Sequence, residues 1–83
     1  MMAFIADWCP SCNKMKPDLF EFKYKDGYQV EIYDISKEKK LAKENFVFSV
    51  PSFLMIEEDK EYCRMAGEKK SQDLEDFYNH DCN

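Results

Sequence analysis

Two cysteines stand two residues apart in Trp8-Cys9-Pro10-Ser11-Cys12, where a short apolar run, Met1 to Ala6, gives way to a stretch with helical periodicity. Thiols at this spacing serve as a redox pair or as half of a zinc site. The run before them is short and nearly unbroken, as expected of a strand buried on both faces. Pro10 suits the first turn of a helix, where its missing N–H costs nothing. The pair is therefore expected at a strand-to-helix junction.

Downstream, Cys12, Met15, Leu19 and Phe22 recur at spacings of three and four, one face of a helix. Cys12 falls on that inward stripe, whereas Cys9 precedes the first turn and is expected to face out. Pro17 should kink the helix without ending it, because the stripe continues past it. Asp26-Gly27 closes the segment. Tyr28 to Ile35 alternates, with Val30, Ile32 and Asp34 on one side and Gln29, Glu31 and Tyr33 on the other, and reads as a second strand. Ser36 is the expected N-cap of a charged, lightly buried helix from Lys37 to about Asn45, with Leu41 and Ala42 its apolar positions. Phe46 to Val50 leads into Pro51. Phe53 to Glu57 and Tyr62 to Ala66 read as two strands of a hairpin turning at Glu58-Asp59-Lys60. Ser71 is the expected cap of a last helix presenting Leu74, Phe77 and Tyr78 inward, with Asp73 and Glu75 favourably near its N-terminus.

The order β-α-β-α-β-β-α places the chain in the α/β class. Its βαβ unit requires a parallel pair with a right-handed crossover, and its hairpin adds an antiparallel one. A four-stranded mixed sheet flanked by helices is the expected result. Eighty-three residues make one domain, 1–83, and a chain this short buries only about 60% of its unfolded surface, so it needs large apolar side chains. Seven Phe, five Tyr and one Trp supply them, and two Gly with three Pro leave little room for linkers. Twelve basic against 17 acidic residues, a net charge of −5, argue against a nucleic-acid surface. No stretch approaches a membrane span, and no secretory leader is visible, so a cytoplasmic setting with reduced thiols is expected.

The chain resembles the thioredoxin-fold family, in the trimmed form of glutaredoxins and small redoxins. Four features carry the resemblance: Trp8-Cys9-x-x-Cys12 between strand and helix, Pro17 five residues after the second Cys, Val47-Phe48-Ser49-Val50-Pro51-Ser52-Phe53, and Gly67. They match the family's redox motif, helix-kinking proline, cis-proline segment and glycine before the last helix. Three positions depart from it. Met1 begins just before the redox strand, without the first strand and helix of full-length thioredoxins. Ala3 stands where thioredoxins carry a buried acid. Pro10-Ser11 puts proline first, as glutaredoxins do, yet Gly67-Glu68-Lys69 is a poor substitute for their glutathione-holding residues.

The resemblance implies a disulfide oxidoreductase with no cofactor beyond its own redox-active disulfide, and with glutathione as an alternative co-substrate. A helix N-terminus stabilises a thiolate, which assigns Cys9 as nucleophile, while inward-facing Cys12 resolves the mixed disulfide. By resemblance Pro51 is cis, and Trp8, Pro10, Ser11, Val50, Pro51 and Gly67 form the substrate groove. Phe48 fits either that groove or the core. The expected partners are disulfide-bearing proteins, of which a ribonucleotide reductase is the family-based example, and an upstream reductase (thioredoxin reductase or the glutathione system), with the chain itself monomeric. Zinc or a non-catalytic interaction module is the alternative. Zinc would need ligands from Cys63, His80 and Cys82, of which Cys63 is expected in a strand and the others at a fraying end. Cys82 reads as a terminal free thiol or as a disulfide partner of Cys63. Met15, Met55 and Met65 read as core filling, and Asp7 as an exposed residue without a role.

Overall fold

The computed structural model describes residues 1–25, 27–58 and 60–79, with the Tyr62 side chain set aside. The order of elements is β1 (Met2–Ile5), α1 (Pro10–Lys23), β2 (Glu31–Asp34), α2 (Lys39–Glu44), β3 (Ser52–Glu57), β4 (Lys60–Ala66) and α3 (Ser71–Tyr78). The expected β-α-β-α-β-β-α succession is thus realised. The sheet runs β2-β1-β3-β4, with β1 parallel to β2 and antiparallel to β3, and β3 antiparallel to β4.

β1 is apolar throughout because both of its faces are covered. Ala3 and Ile5 point into a cluster with Cys12, Met15, Leu19 and Phe22 of α1 and Leu74 and Phe77 of α3. Phe4 points the other way, into a smaller cluster with Ala42, Val47 and Leu54. The sheet is therefore sandwiched, with α1 and α3 on one face and α2 on the other. This arrangement aims the carboxyl end of β1, and the thiols that follow it, at the junction of the two layers. α1 runs unbroken through Pro17, whose ring is exposed.

Five boundaries differ from the expected ones. β2 starts at Glu31 and not at Tyr28, since residues 28–30 are tied to α3. Tyr28 lies 4.6 Å from both the Phe22 and Tyr78 rings, and the Gln29 N–H donates to the Tyr78 hydroxyl at 2.8 Å. α2 starts at Lys39 without a Ser36 cap. The Asp34 carboxylate accepts the Ser36 N–H at 2.8 Å and its carbonyl accepts those of Lys37 and Glu38, folding that stretch into a turn. Ser71 is the first residue inside α3, and Lys70 precedes it. There the Asp73 carboxylate accepts the Lys70 N–H at 3.0 Å, so an acid three residues on satisfies the helix entry. The hairpin strands extend one residue earlier at Ser52 and two earlier at Lys60 than expected, and Glu58 at the turn takes a left-handed φ of 53°.

Between α2 and β3 the chain is clamped from β4. The Arg64 guanidinium donates to the Asn45 and Phe46 carbonyls at 2.8 and 3.1 Å while pairing with Glu61. Replacing Arg64 with Met leaves those two carbonyls to water and is expected to cost about 1 kcal/mol, the net worth of exposed charge-assisted hydrogen bonds. Urea unfolding of Arg64→Met measures it; a midpoint unchanged from the wild-type chain would show that the clamp contributes nothing.

Candidate redox site

Cys9 caps α1. Its backbone is extended (φ −93°, ψ 111°), and its sulfur takes the place of a capping Ser or Asp oxygen, accepting the Cys12 N–H at 3.2 Å. Pro10 at the first helical position has no N–H to leave unpaired. A sulfur so placed faces the helix's unpaired N–H groups and the positive end of its dipole. On its other side the Cys9 thiol donates to the Val50 carbonyl at 3.7 Å, a contact across 41 residues. The Val50–Pro51 peptide is cis, as the resemblance implies. Gly67, at φ 97°, returns its N–H to the Pro51 carbonyl at 2.9 Å, so the start of α3's approach, the cis-proline loop and the thiols form one connected surface. Trp8 and Pro10 are exposed beside Cys9, and Ser11 and Val50 are half-buried. Every residue expected in the groove thus lies at the thiol pair or is joined to it through Val50 and Pro51.

One expectation is corrected here. Cys9 does not face out: only 5% of its surface is accessible, against none of Cys12. Capping pulls its sulfur back over the first helical turn, and the Val50 carbonyl covers it from the facing loop. Phe48 is settled in the opposite sense. It is 81% exposed and belongs to neither core cluster.

Burial first, and then the hydrogen bond to Cys9, push the Cys12 thiol up to about 12, outweighing the opposing pulls of the hydrogen bond with the Ala6 backbone and of the Lys16 ammonium. At neutral pH Cys12 therefore keeps its proton. The folded chain holds that proton more tightly than the unfolded chain, whose thiol loses it near 9.0. The resulting stability is complete below the unfolded value and is lost as pH rises from there toward the folded one. Tyr33, raised to about 12 chiefly by its hydrogen bond to Glu31, adds to the same trend. The reduced protein is expected to lose stability between about pH 8 and about pH 10.5, and Cys12→Ala to lose less. Urea unfolding under reductant at both pH values checks this, and equal losses would rule out the Cys12 contribution.

Asp7, given no role from sequence, does take part in shaping the site. Its carbonyl accepts from Asn13 Nδ2 at 2.8 Å, and its carboxylate pairs with Lys16 at 3.2 Å. The pair ties the turn before Cys9 to the helix after it. Helix periodicity carried no signal for this pair, because Asp7 lies before the helix, nine residues from Lys16. Lys14 instead reaches Glu68, at 3.5 Å, just past Gly67. Ala3 is fully buried, a methyl group where the resemblance places an acid. Met15 and Met55 are buried and Met65 half-buried, as core filling requires, and Cys63 is buried on β4 opposite Met55. Among the described residues no group of three or more His, Cys, Asp or Glu is placed to hold a metal ion, and His80 and Cys82 lie outside them.

A thioredoxin family model matches residues 1–80. The chain belongs to the thioredoxin family. Thioredoxin H2 of Arabidopsis thaliana is 31% identical over 71 residues, covering 83% of this chain and 53% of that protein. Thioredoxin 2 of Plasmodium berghei is 31% identical over 58 residues, 68% of this chain and 37% of that protein. The chain thus spans about half or less of the curated thioredoxins it matches. A mutant thioredoxin from Halobacterium salinarum NRC-1 superposes with a TM-score of 0.85 at 21% identity, covering 99% of this chain and 73% of that one. That likeness establishes the thioredoxin fold, with its mixed sheet between helical layers.

Proposed function

We propose that this thioredoxin-family chain is a thiol–disulfide oxidoreductase that reduces protein disulfides, with Cys9 as nucleophile and Cys12 as resolving thiol. The observation that carries the proposal is the Cys9 sulfur at the N-terminus of α1, accepting the Cys12 N–H at 3.2 Å. The Cys9 thiolate attacks one sulfur of the substrate disulfide; that S–S bond breaks and the other sulfur leaves as a thiolate. Cys12 then gives up its proton, and its sulfur attacks Cys9, forming the Cys9–Cys12 disulfide and expelling the second substrate sulfur, which takes up a proton. Two electrons pass from the chain to the substrate.

The high Cys12 value supports this division of labour, because a thiol held protonated is a poor first attacker. Trp8, Pro10, Ser11, Val50, Pro51 and Gly67 receive the substrate segment beside Cys9. Thioredoxin reductase is the proposed electron donor, and the reducing cytoplasm the compartment in which the dithiol is maintained.

Insulin reduction tests the reading. With dithiothreitol as donor, the chain is expected to accelerate insulin precipitation; no acceleration would overturn it. Coupling to NADPH separates the donors: turnover through thioredoxin reductase is expected, and turnover only through glutathione and its reductase would reassign the donor.

A further inference from the structure

Among the described residues no charged side chain is buried, and Ser52 is the one polar side chain that is. Cys12 lies without any exposure in the cluster to which β1, α1, β3, β4 and α3 all contribute. Charge can therefore act on its sulfur only from the rim of that cluster. Yet the reaction develops a negative charge there. When Cys12 attacks Cys9 in the mixed disulfide, its S–H has to become a thiolate, in surroundings where an unpaired charge is unfavourable.

Lys16 is the cation that the helix brings to this rim. It lies four residues beyond Cys12 on α1, its neighbour one turn along the same side. Its side chain is 29% exposed, against 75% for Lys14, so less water screens its ammonium. That ammonium is also fixed in place. The Asp7 carboxylate holds it at 3.2 Å, and the Asp7 carbonyl accepts from Asn13 Nδ2 at 2.8 Å, which ties Asp7 to the first turn of the helix. The Asp7 side chain is further hydrogen-bonded to Asp34 at the end of β2, where the Lys37 charge also acts. Lys16 thus balances an acid that would otherwise stand uncompensated beside the thiols, and its charge opposes the burial that keeps Cys12 protonated.

We infer that Lys16, fixed by Asp7, is a positioning residue of the second half of the reaction: its ammonium stabilises the negative charge that develops on the Cys12 sulfur as that sulfur attacks Cys9. The inference rests on the oxidoreductase reading and assigns within it a residue to the resolving step. Lys16 stays protonated and exchanges no bond. The Cys12 proton passes to water, and the electron pair of its sulfur makes the Cys9–Cys12 bond as the bond from Cys9 to the substrate sulfur breaks. The departing substrate thiolate takes a proton from water. The first attack, by Cys9 on the substrate, is complete before this charge is needed.

Stopped-flow reaction of the reduced full chain with dithiodipyridine separates the two steps. This uncharged disulfide releases coloured thiopyridone, first on attack by Cys9 and again on resolution by Cys12. It is used in large excess, so that the first release outpaces the second, and the phases lost in Cys9→Ser are those of the redox pair. If loss of the Lys16 charge makes the Cys12 thiolate about ten-fold scarcer at neutral pH, the accompanying gain in nucleophilicity of about three-fold leaves Lys16→Met about three-fold slower in the second phase. Lys16→Glu should slow that phase about ten-fold, Lys16→Arg should restore it, and the first phase should stay within about two-fold throughout. A side chain that served only for packing would not order the variants by charge. Lys23→Met, at the far end of α1, makes the same change in net charge and should alter neither phase. Amide NMR verifies that each variant is folded. A Lys16→Met second phase equal to the wild type, a loss that Lys16→Arg fails to restore, or a first phase slowed as much as the second would each overturn the inference, as would a wild-type chain with no second phase. A charge-ordered second phase in a chain that fails to reduce insulin would leave the Lys16 role standing and sink the protein-disulfide reading. Insulin reduction without the charge order gives the converse.

Discussion

Cys9→Ser is expected to abolish disulfide reduction, lowering turnover by on the order of 10³ to 10⁶, the range seen when the nucleophile of a covalent mechanism is removed. A serine at the cap can still accept the Cys12 N–H, so the helix start survives and the loss reports chemistry rather than folding. Cys12→Ser has a different expected outcome. The first attack still forms a mixed disulfide, but no second thiol releases it, and the substrate is retained as a covalent adduct that mass spectrometry detects and reductant removes. The two variants therefore separate the roles. Activity surviving Cys9→Ser, or an adduct formed through Cys12 in that variant, would reverse the assignment.

The second large effect is on stability. Phe4 is fully buried at the centre of β1, stacked 5.5 Å from Tyr33 and packed with Ala42, Val47 and Leu54 under α2. Phe4→Ala removes the largest buried side chain of this smaller cluster and is expected to cost about 3–5 kcal/mol. Small domains are stable by about 5–15 kcal/mol in total, so the variant should be partly unfolded at moderate temperature. Phe48→Ala is the control. The same chemical change on a ring 81% exposed should shift stability by no more than about 0.5 kcal/mol. Urea unfolding of both gives the comparison; similar losses for the two would mean that exposure in the folded state does not distinguish these rings.

The redox pair was legible in the sequence because its chemistry is local. Cys-Pro-Ser-Cys carries its own helix start, and the spacing of Cys12, Met15, Leu19 and Phe22 puts the second thiol inside whatever covers the helix. The unbroken apolarity of Met1 to Ala6 likewise required cover on both faces, and the sheet has it. The serines misled for an equally local reason. Ser36 and Ser71 are good caps in isolation, but the Asp34 carboxylate takes the Ser36 N–H and folds that stretch into a turn, while the Asp73 carboxylate takes the Lys70 N–H and leaves Ser71 as the first residue inside the helix. Tyr28 scored as strand on pattern, yet its ring is claimed by Phe22 and Tyr78, which only the meeting of α1 and α3 provides.

Sequence alone therefore determined the order of elements, the family resemblance and which residues carry the thiols, since each is written in composition, period and short-range spacing. Tertiary structure decided what surrounds those thiols. Periodicity shows which face of a segment is buried but not what buries it, so the cover that the Val50 carbonyl gives Cys9 from 41 residues away was out of reach. For the same reason Phe48, equally suited to core or surface by its chemistry, could be placed in water beside Lys39 and Lys43 only once α2 had packed against the sheet and left its ring without cover.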